Sequence, residues 1–220
     1  MNATVQSLAA ANHLSLERYY RRHARVYDAT RWVYLFGRGN LLQLLEQGPA
    51  PAQVLEVGCG TGRNLARLAR RFPQAAFTGV DLSAAMLRQA QRRSRGAAAR
   101  FNWVRAVYDR PLRPARPFDL VLFSYSLSMM NPGWDAALQT AAGELAPGGR
   151  VAVVDFHQTP LPWFRRWMQQ HQLRMDGHLL PALCKQFRPR LAARQPAYYG
   201  AWEYFLFLGA NRAAANSPRA

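Results

Sequence analysis

The sequence predicts an α/β fold built on a doubly wound, mostly parallel sheet. Short, nearly continuous apolar runs alternate along residues 53–156 with segments whose apolar residues recur at helical spacing. The apolar runs are rich in β-branched and aromatic residues and are bounded by Gly, Pro, Asp or Asn, as expected for parallel strands buried on both faces. Strands and helices in this alternating order predict β-α-β units.

The N-terminal region, residues 1–47, is predicted to form a helical cap. It mixes apolar and basic positions, Ser15 provides a helix N-cap, and Gly37 and Gly39 mark a break, so two helices are expected. A connector rich in Gly and Pro, residues 48–51, ends this region.

The core, residues 48–210, is predicted to contain the sheet within a single domain. Strands are expected at residues 54–57, 76–80, 101–104, 120–123, 151–156 and 201–208. Helices are expected between them at residues 64–71, 84–95 and 134–145. A Pro-Gly-Gly turn at residues 147–149 leads into the fifth strand, and the polar tail, residues 211–220, is predicted to be disordered.

Charge and cysteine content narrow the choice of partner and compartment. Twenty-nine basic against twelve acidic side chains give a net charge of +17, which favours nucleic acid or a membrane surface rich in acidic lipid without choosing between them. Cys59 and Cys184 lack metal-ligand spacing and are expected to be free thiols in a reducing compartment. The sequence shows neither a basic leader nor an apolar run of about 18 residues, so a cytoplasmic protein is expected.

An acid and three glycines follow the first predicted strand. The run EVGCGTG, residues 56–62, lies where doubly wound sheets bind ligands, and glycine lets a ligand approach the main chain. A dinucleotide fingerprint would need glycine at position 63, where Arg63 stands. A carboxylate at Glu56 would also repel a pyrophosphate, whereas it would attract an ammonium group.

A second acid, Asp81, ends the next predicted strand. This position suits the hydroxyls of a ribose. The alternative role for Asp81 is the N-cap of the following helix, but Ser83 can provide that cap. A ligand with a nucleoside at one end, a cationic amino acid at the other and no phosphate between them is S-adenosyl-L-methionine.

From residue 53 to about 156 the chain resembles the class I methyltransferase superfamily, on the E-x-G-x-G-x-G motif and the strand-end Asp81. The resemblance implies a Rossmann-like sheet of seven strands, S-adenosyl-L-methionine as cofactor and S-adenosyl-L-homocysteine as product. The cofactor-binding residues that it implies are Glu56, Gly58, Cys59, Gly60, Thr61, Gly62, Asp81, Leu82, Met86, Ala106, Val107 and Ser124.

Contacts to the adenine are less well defined by this resemblance. Leu82 and Met86 are expected to pack against the adenine ring, with ordinary core packing as the alternative. The superfamily often places an acid at the end of the third strand, but here the nearest acid is Asp109. Either Asp109 or the backbone of Ala106 and Val107 is therefore expected to hydrogen-bond to the adenine.

A narrower resemblance runs along most of the chain. Residues 19–31, 34–38, 123–130, 153–156 and 198–202 are similar to segments of bacterial methyltransferases that make betaine lipids. It implies successive methylation of the amine of diacylglyceryl-homoserine, with the related phosphatidylethanolamine N-methyltransferases as the alternative.

Aromatic side chains are expected around the acceptor, because ammonium groups bind aromatic faces with about 0.5 to 2 kcal/mol each. Tyr27 and Tyr125 are expected at the reacting atoms. The expected substrate contacts are Tyr20, Tyr34, Ser128 and His157. The alternatives are a helical core stripe for the tyrosines and no role for the lone histidine. Metal spacing is absent, so no metal is expected.

Residues 160–168 place Trp and Phe between arginines, a pattern typical of a helix at a membrane surface, although a helix packed on the sheet is the alternative. The expected function is thus N-methylation of a lipid amine by an enzyme bound peripherally to the inner face of the membrane. An RNA methyltransferase and a non-catalytic basic module with a relic cofactor fold are the alternatives. The oligomeric state stays open.

Overall fold

The computed structural model describes residues 35–170 and 173–212. Most of the predicted cap, with Tyr20, Tyr27 and Tyr34, lies outside the described residues, as does the tail from residue 213 onward.

Seven strands form one sheet in the order β3-β2-β1-β4-β5-β7-β6. They are β1 (Gln53–Val57), β2 (Ala76–Asp81), β3 (Phe101–Arg105), β4 (Phe118–Ser124), β5 (Leu145–Phe156), β6 (Phe187–Ala197) and β7 (Trp202–Asn211). The first five strands are parallel, and β7 pairs antiparallel with both β5 and β6. The predicted doubly wound, mostly parallel, seven-stranded sheet is confirmed.

Six α-helices are described: α1 (Arg38–Gln47), α2 (Arg63–Arg71), α3 (Ala84–Arg93), α4 (Trp134–Glu144), α5 (Pro162–Gln170) and α6 (Leu179–Gln186). Helices α2, α3 and α4 lie where apolar spacing predicts them, and α5 lies within two residues of the predicted aromatic segment. Helix α6 is not predicted. None of the described helices has the length and apolar character needed to span a bilayer.

Both faces of the central strands are buried, as continuous apolar runs require. In β4, Leu120 and Leu122 join the core beneath α1 and α2, whereas Val121 and Phe123 join the core beneath α4 and α6. The carboxyl ends of the parallel strands therefore meet at one edge of a well-packed scaffold.

Apolar patterning does not predict strand β6, because β6 is an exposed edge strand. It contains Pro189 and Pro196, and its three arginines are exposed, so it lacks the apolar run that marks the other strands. Proline is tolerated at an edge because no partner needs its missing N–H.

Two predicted boundaries need correction. Residues 147–149 lie within β5, at the point where its register with β4 shifts, because the turn bulges from the strand rather than preceding it. Asn211 and Arg212, predicted as disordered tail, are ordered because they donate hydrogen bonds of 2.8 Å to the carbonyls of Ala142 and Cys184.

The predicted break in the cap falls at Gly37. This residue has a φ of 73° and precedes α1, whereas Gly39 lies inside the helix. A Cβ at Gly37 would lie 2.4 Å from a ring carbon of Tyr204, so close packing as well as conformation requires glycine here.

Candidate active site

The glycine-rich loop joins β1 to α2 and crosses the carboxyl end of β2. Gly58, Gly60 and Gly62 all have left-handed backbone conformations, with φ of 71°, 54° and 70°. The amide of Gly58 donates to the carbonyl of Val80 at 2.8 Å, which anchors the loop to β2. A side chain at Gly58 would meet Ser126, whose Cβ would lie 2.5 Å away. The loop thus exposes bare backbone in a fixed conformation.

Asp81 ties this loop to the start of α3. Its Oδ2 accepts a hydrogen bond from the amide of Gly60 and its Oδ1 one from the amide of Ser83, both at 2.8 Å. Ser83, whose Oγ accepts from the amide of Met86, is the N-cap of α3, so Asp81 is not. Each carboxylate oxygen keeps a second lone pair for a ligand hydroxyl.

Glu56 is held by a relay of side chains. The Arg38 guanidinium donates to Asn64 Oδ1 at 2.9 Å, and Asn64 Nδ2 donates to Glu56 Oε1 at 2.6 Å. Because Arg38 occupies the amide oxygen, the amide nitrogen of Asn64 faces the carboxylate. The second carboxylate oxygen, Oε2, is buried and has no hydrogen-bond partner among the described residues.

Burial raises the pKa of Glu56 to about 7, against the opposing effect of the Asn64 hydrogen bond. Glu56 lines a small cavity together with Gly58, Gly60, Ser124 and Tyr125. A buried carboxylate with an unused oxygen fits the ammonium of S-adenosyl-L-methionine, because the ligand would supply the missing donor and counter-charge. The residues present therefore fit this cofactor.

Cofactor affinity is expected to fall about eightfold when the pH is lowered from about 7.5 to about 6. A carboxyl pKa near 7 makes Glu56 mostly ionised at the higher pH and mostly protonated at the lower, and only the ionised form attracts an ammonium group. Calorimetric titration with S-adenosyl-L-homocysteine across this range measures the effect. An affinity that rises or stays constant on acidification would contradict it.

The predicted catalytic Tyr125 lies just after β4 and lines the same cavity. Its hydroxyl is engaged, because it donates to the carbonyl of Phe36 at 2.7 Å. Burial raises the pKa of Tyr125 well above its usual value, with Asp155 adding to the effect. The hydroxyl therefore connects the cap to β4 and is not a proton acceptor, which leaves the ring as the part able to face a ligand.

Replacing Tyr125 with Phe is expected to lower the free energy of unfolding by about 1 kcal/mol, because the partly buried Phe36 carbonyl loses its donor. Methyl transfer should fall far less than the about 100- to 10,000-fold that loss of a general base causes. Thermal unfolding and initial rates, compared with Tyr125→Ala, measure both effects. A rate loss in Tyr125→Phe equal to that in Tyr125→Ala would contradict this assignment.

The two predicted substrate residues that the structure describes, Ser128 and His157, are linked through one segment, residues 173–177. Arg174 donates its amide to the carbonyl of Ser128 at 3.3 Å, and Gly177 donates to that of His157 at 2.8 Å. Burial lowers the pKa of His157, and its Nδ1 has no partner among the described residues.

The remaining predicted cofactor residues surround the loop without a defined ligand contact. Cys59 is buried, which raises the pKa of its thiol, and Thr61 accepts from Arg93 at 2.7 Å. Met86 is fully buried. The half-buried residues are Leu82, Ala106, Val107 and Ser124. Asp109 is exposed and accepts from its neighbour Arg110, so the structure gives no contact that selects it as the adenine acceptor.

Asn64, Arg38 and Asp155 are functional-site residues that sequence reasoning missed. Asn64 follows the last glycine by two positions, which is the only local signal that it turns back toward Glu56. Asp155 is fully buried at the end of β5 and accepts from the amides of Ser128 and Phe156; burial raises its pKa to about 6. Across the described residues, His, Cys, Asp and Glu side chains form no group of three that could bind a metal.

Residues 54–149 match a protein family described as a methyltransferase domain. A trans-aconitate 2-methyltransferase of Methylobacterium nodulans is 39% identical over 104 residues, which cover 47% of this chain and 38% of the relative. A malonyl-acyl-carrier-protein O-methyltransferase of Geobacter sulfurreducens is 36% identical over 138 residues, which cover 62% of this chain and 51% of the relative. The chain thus spans about half the length, or less, of these curated relatives. Neither is named for a betaine lipid, so the narrower resemblance remains a prediction.

Solved structures share the fold along most of the chain. The N-methyltransferase NodS from Bradyrhizobium japonicum, in complex with S-adenosyl-L-homocysteine, gives a TM-score of 0.72 at 17% identity, covering 89% of this chain and 98% of that one. The 1,6-didemethyltoxoflavin-N1-methyltransferase of Burkholderia thailandensis gives 0.69 at 19% identity, covering 96% and 92%. At these identities the likeness shows a shared Rossmann-like fold and nothing about the reaction.

Proposed function

We propose that the protein transfers methyl groups from S-adenosyl-L-methionine to the amine of a lipid headgroup, since residues 54–149 match a methyltransferase domain. The acceptor of the proposal is diacylglyceryl-homoserine or a chemically similar amine lipid, methylated at the inner face of the cytoplasmic membrane.

A wall of aromatic rings beside the glycine loop carries this proposal. The Tyr125 ring contacts that of Phe156 edge-on at 4.7 Å, and its hydroxyl bonds to Phe36. The Phe36 ring packs against three further rings, at centroid distances of 5.2, 6.3 and 6.2 Å: Tyr198, Trp202 and Tyr204. Methylated ammonium groups bind aromatic faces, and the attraction grows as the site excludes water. A wall of this kind suits an amine that becomes progressively methylated.

The protein's own task in such a reaction is to position and desolvate the acceptor. The cofactor, when bound, supplies a methyl group already activated by its sulfonium. An acceptor amine attacks only after losing its proton. Burial lowers the pKa of His157, but its ring packs on Phe205, in the core on the other face of the sheet from Tyr125 and Phe156. The proposal therefore gives His157 no part in removing this proton.

Expression in a host that lacks methylated lipids tests the proposal. The chain is expressed with and without the enzyme that makes the homoserine lipid, and the lipid extract is analysed by mass spectrometry. Lipids heavier by one, two or three methyl groups are expected only when the precursor is present. A host with abundant precursor and unchanged lipids, despite folded and cofactor-binding protein, would contradict the proposal.

An arginine-lined groove favours a second function, O-methylation of a carboxylate. The groove, of about 910 Å³, runs over α2 between α1 and the end of α3. The arginines that line it are Arg38, Arg63, Arg67, Arg70, Arg93 and Arg100. A basic groove would attract an acidic acceptor, and the two curated relatives are named for trans-aconitate and malonyl-acyl-carrier protein. Base-labile methyl ester formed from trans-aconitate by the purified protein would support this function instead.

A further inference from the structure

Four large aromatic side chains are exposed on one side of the described structure. Trp163 and Trp167 of α5 are 67% and 50% exposed, and Tyr198 and Tyr199 are 45% and 111% exposed. Exposed aromatic residues grouped in this way mark a binding surface rather than ordinary surface composition. We call these four residues the aromatic face.

The two segments of the aromatic face are joined through one buried residue, Trp202. Phe164 stacks on Trp202 at 5.5 Å and contacts the Trp163 and Trp167 rings at 5.7 and 5.8 Å. The Tyr198 ring also packs against Trp202, at a centroid distance of 4.8 Å. Trp202 also belongs to the aromatic wall beside Tyr125, so the face and the site share a packed cluster.

The backbone holds the tyrosines outward at an energetic cost. Tyr198 and Tyr199 have φ of 45° and 55°, in the left-handed region that bulky side chains avoid. Tyr199 gains no compensating burial within the described chain, since it is fully exposed. Strain of this kind at an exposed aromatic residue is typical of a functional surface.

The charge around the aromatic face indicates an anionic partner. Residues 157–200 contain seven basic residues and one acid. Arg165 and Arg166 are exposed between the two tryptophans of α5, and three more exposed arginines lie on the neighbouring edge strand β6. Tryptophan and arginine on a short exposed helix, with exposed tyrosines in a neighbouring segment, are typical of a protein that binds at the interface of a bilayer.

We infer that the aromatic face binds the surface of a bilayer containing anionic lipid, with Trp163 and Trp167 inserted at headgroup depth and the arginines contacting lipid phosphates. This inference rests on the proposed function only for the biological role of the binding, which is to bring the active site to a lipid acceptor. Binding to the bilayer itself needs no catalysis.

Co-sedimentation of the full chain with vesicles tests the inference. Wild-type protein is expected to bind vesicles of phosphatidylcholine mixed with phosphatidylglycerol, and much less to phosphatidylcholine alone. The double variant Trp163→Ala/Trp167→Ala should bind the mixed vesicles at least about tenfold more weakly, and Arg166→Gln about fivefold. The matched control is Leu44→Ala, which removes an exposed apolar side chain from α1, outside the aromatic face, and should bind normally.

Three outcomes would overturn the inference: no binding of wild type to either vesicle, undiminished binding by the double variant, or RNA binding that the double variant loses while vesicle binding persists. Methyl transfer to lipid in detergent micelles separates this inference from the proposed function. Vesicle binding without methyl transfer in micelles would support membrane binding and contradict the proposed function. Methyl transfer in micelles without vesicle binding would support the proposed function and contradict membrane binding.

Discussion

Replacing Glu56 with Gln is expected to weaken binding of S-adenosyl-L-methionine by about 10- to 100-fold, because the site loses the charge that pairs with the ligand's ammonium. The fold should survive, since Asn64 can donate to the amide oxygen of the new side chain as it does to Glu56 Oε1. Burial raises the pKa of Glu56, which means that the ionised carboxylate destabilises the folded protein at pH 8. The free energy of unfolding of the variant at that pH is therefore not expected to fall.

Calorimetry with two ligands makes this test specific. S-adenosyl-L-homocysteine keeps the ammonium but lacks the sulfonium charge, so the variant should lose affinity for both ligands to the same extent. Glu46→Gln is the matched control, because Glu46 pairs with Arg67 on the surface at 2.7 Å and its loss should leave cofactor affinity unchanged. Equal affinities for wild type and Glu56→Gln would mean that the ammonium of the ligand does not bind beside Glu56.

Replacing Gly62 with Ala is expected to lower the free energy of unfolding by about 2 to 5 kcal/mol, because two costs add. The residue has a φ of 70°, which costs an L-amino acid about 1 to 2 kcal/mol. A Cβ there would lie 2.7 Å from a Trp103 ring carbon and 2.9 Å from Ala90 Cβ, and such overpacking costs about 1 to 3 kcal/mol.

Gly143→Ala provides a matched control of opposite sign. Gly143 lies inside α4 with no atom near its would-be Cβ, so the same substitution should stabilise the protein by up to about 1 kcal/mol. Denaturant unfolding of both variants measures the contrast. Equal effects of the two substitutions would mean that the loop is not held in the conformation described.

Apolar periodicity predicted the buried elements well, since burial on both faces leaves continuous apolar runs in the sequence. Strand β6 was missed because exposure removes that pattern. The glycine loop and Asp81 were predicted correctly because each directly follows or ends a predicted strand, which neighbouring residues in the sequence reveal. The relay from Arg38 through Asn64 to Glu56 was missed because it joins residues 26 positions apart, and only folding brings them together.

The engagement of Tyr125 illustrates the same limit. Sequence placed this residue after the fourth strand, where the site lies, but its hydroxyl bonds to Phe36, which is 89 positions away. A residue's position could thus be predicted while the availability of its polar group could not. Long-range partners decide which atoms of a predicted site residue remain free for chemistry.

The most direct test of the proposed function is methyl transfer by the purified chain in detergent micelles, with S-adenosyl-L-methionine and diacylglyceryl-homoserine as substrates and trans-aconitate as a competing acceptor. We expect the lipid to gain up to three methyl groups on its nitrogen, with trans-aconitate unchanged and the Glu56→Gln variant much slower. Methyl ester on trans-aconitate with unmodified lipid would contradict the proposed function.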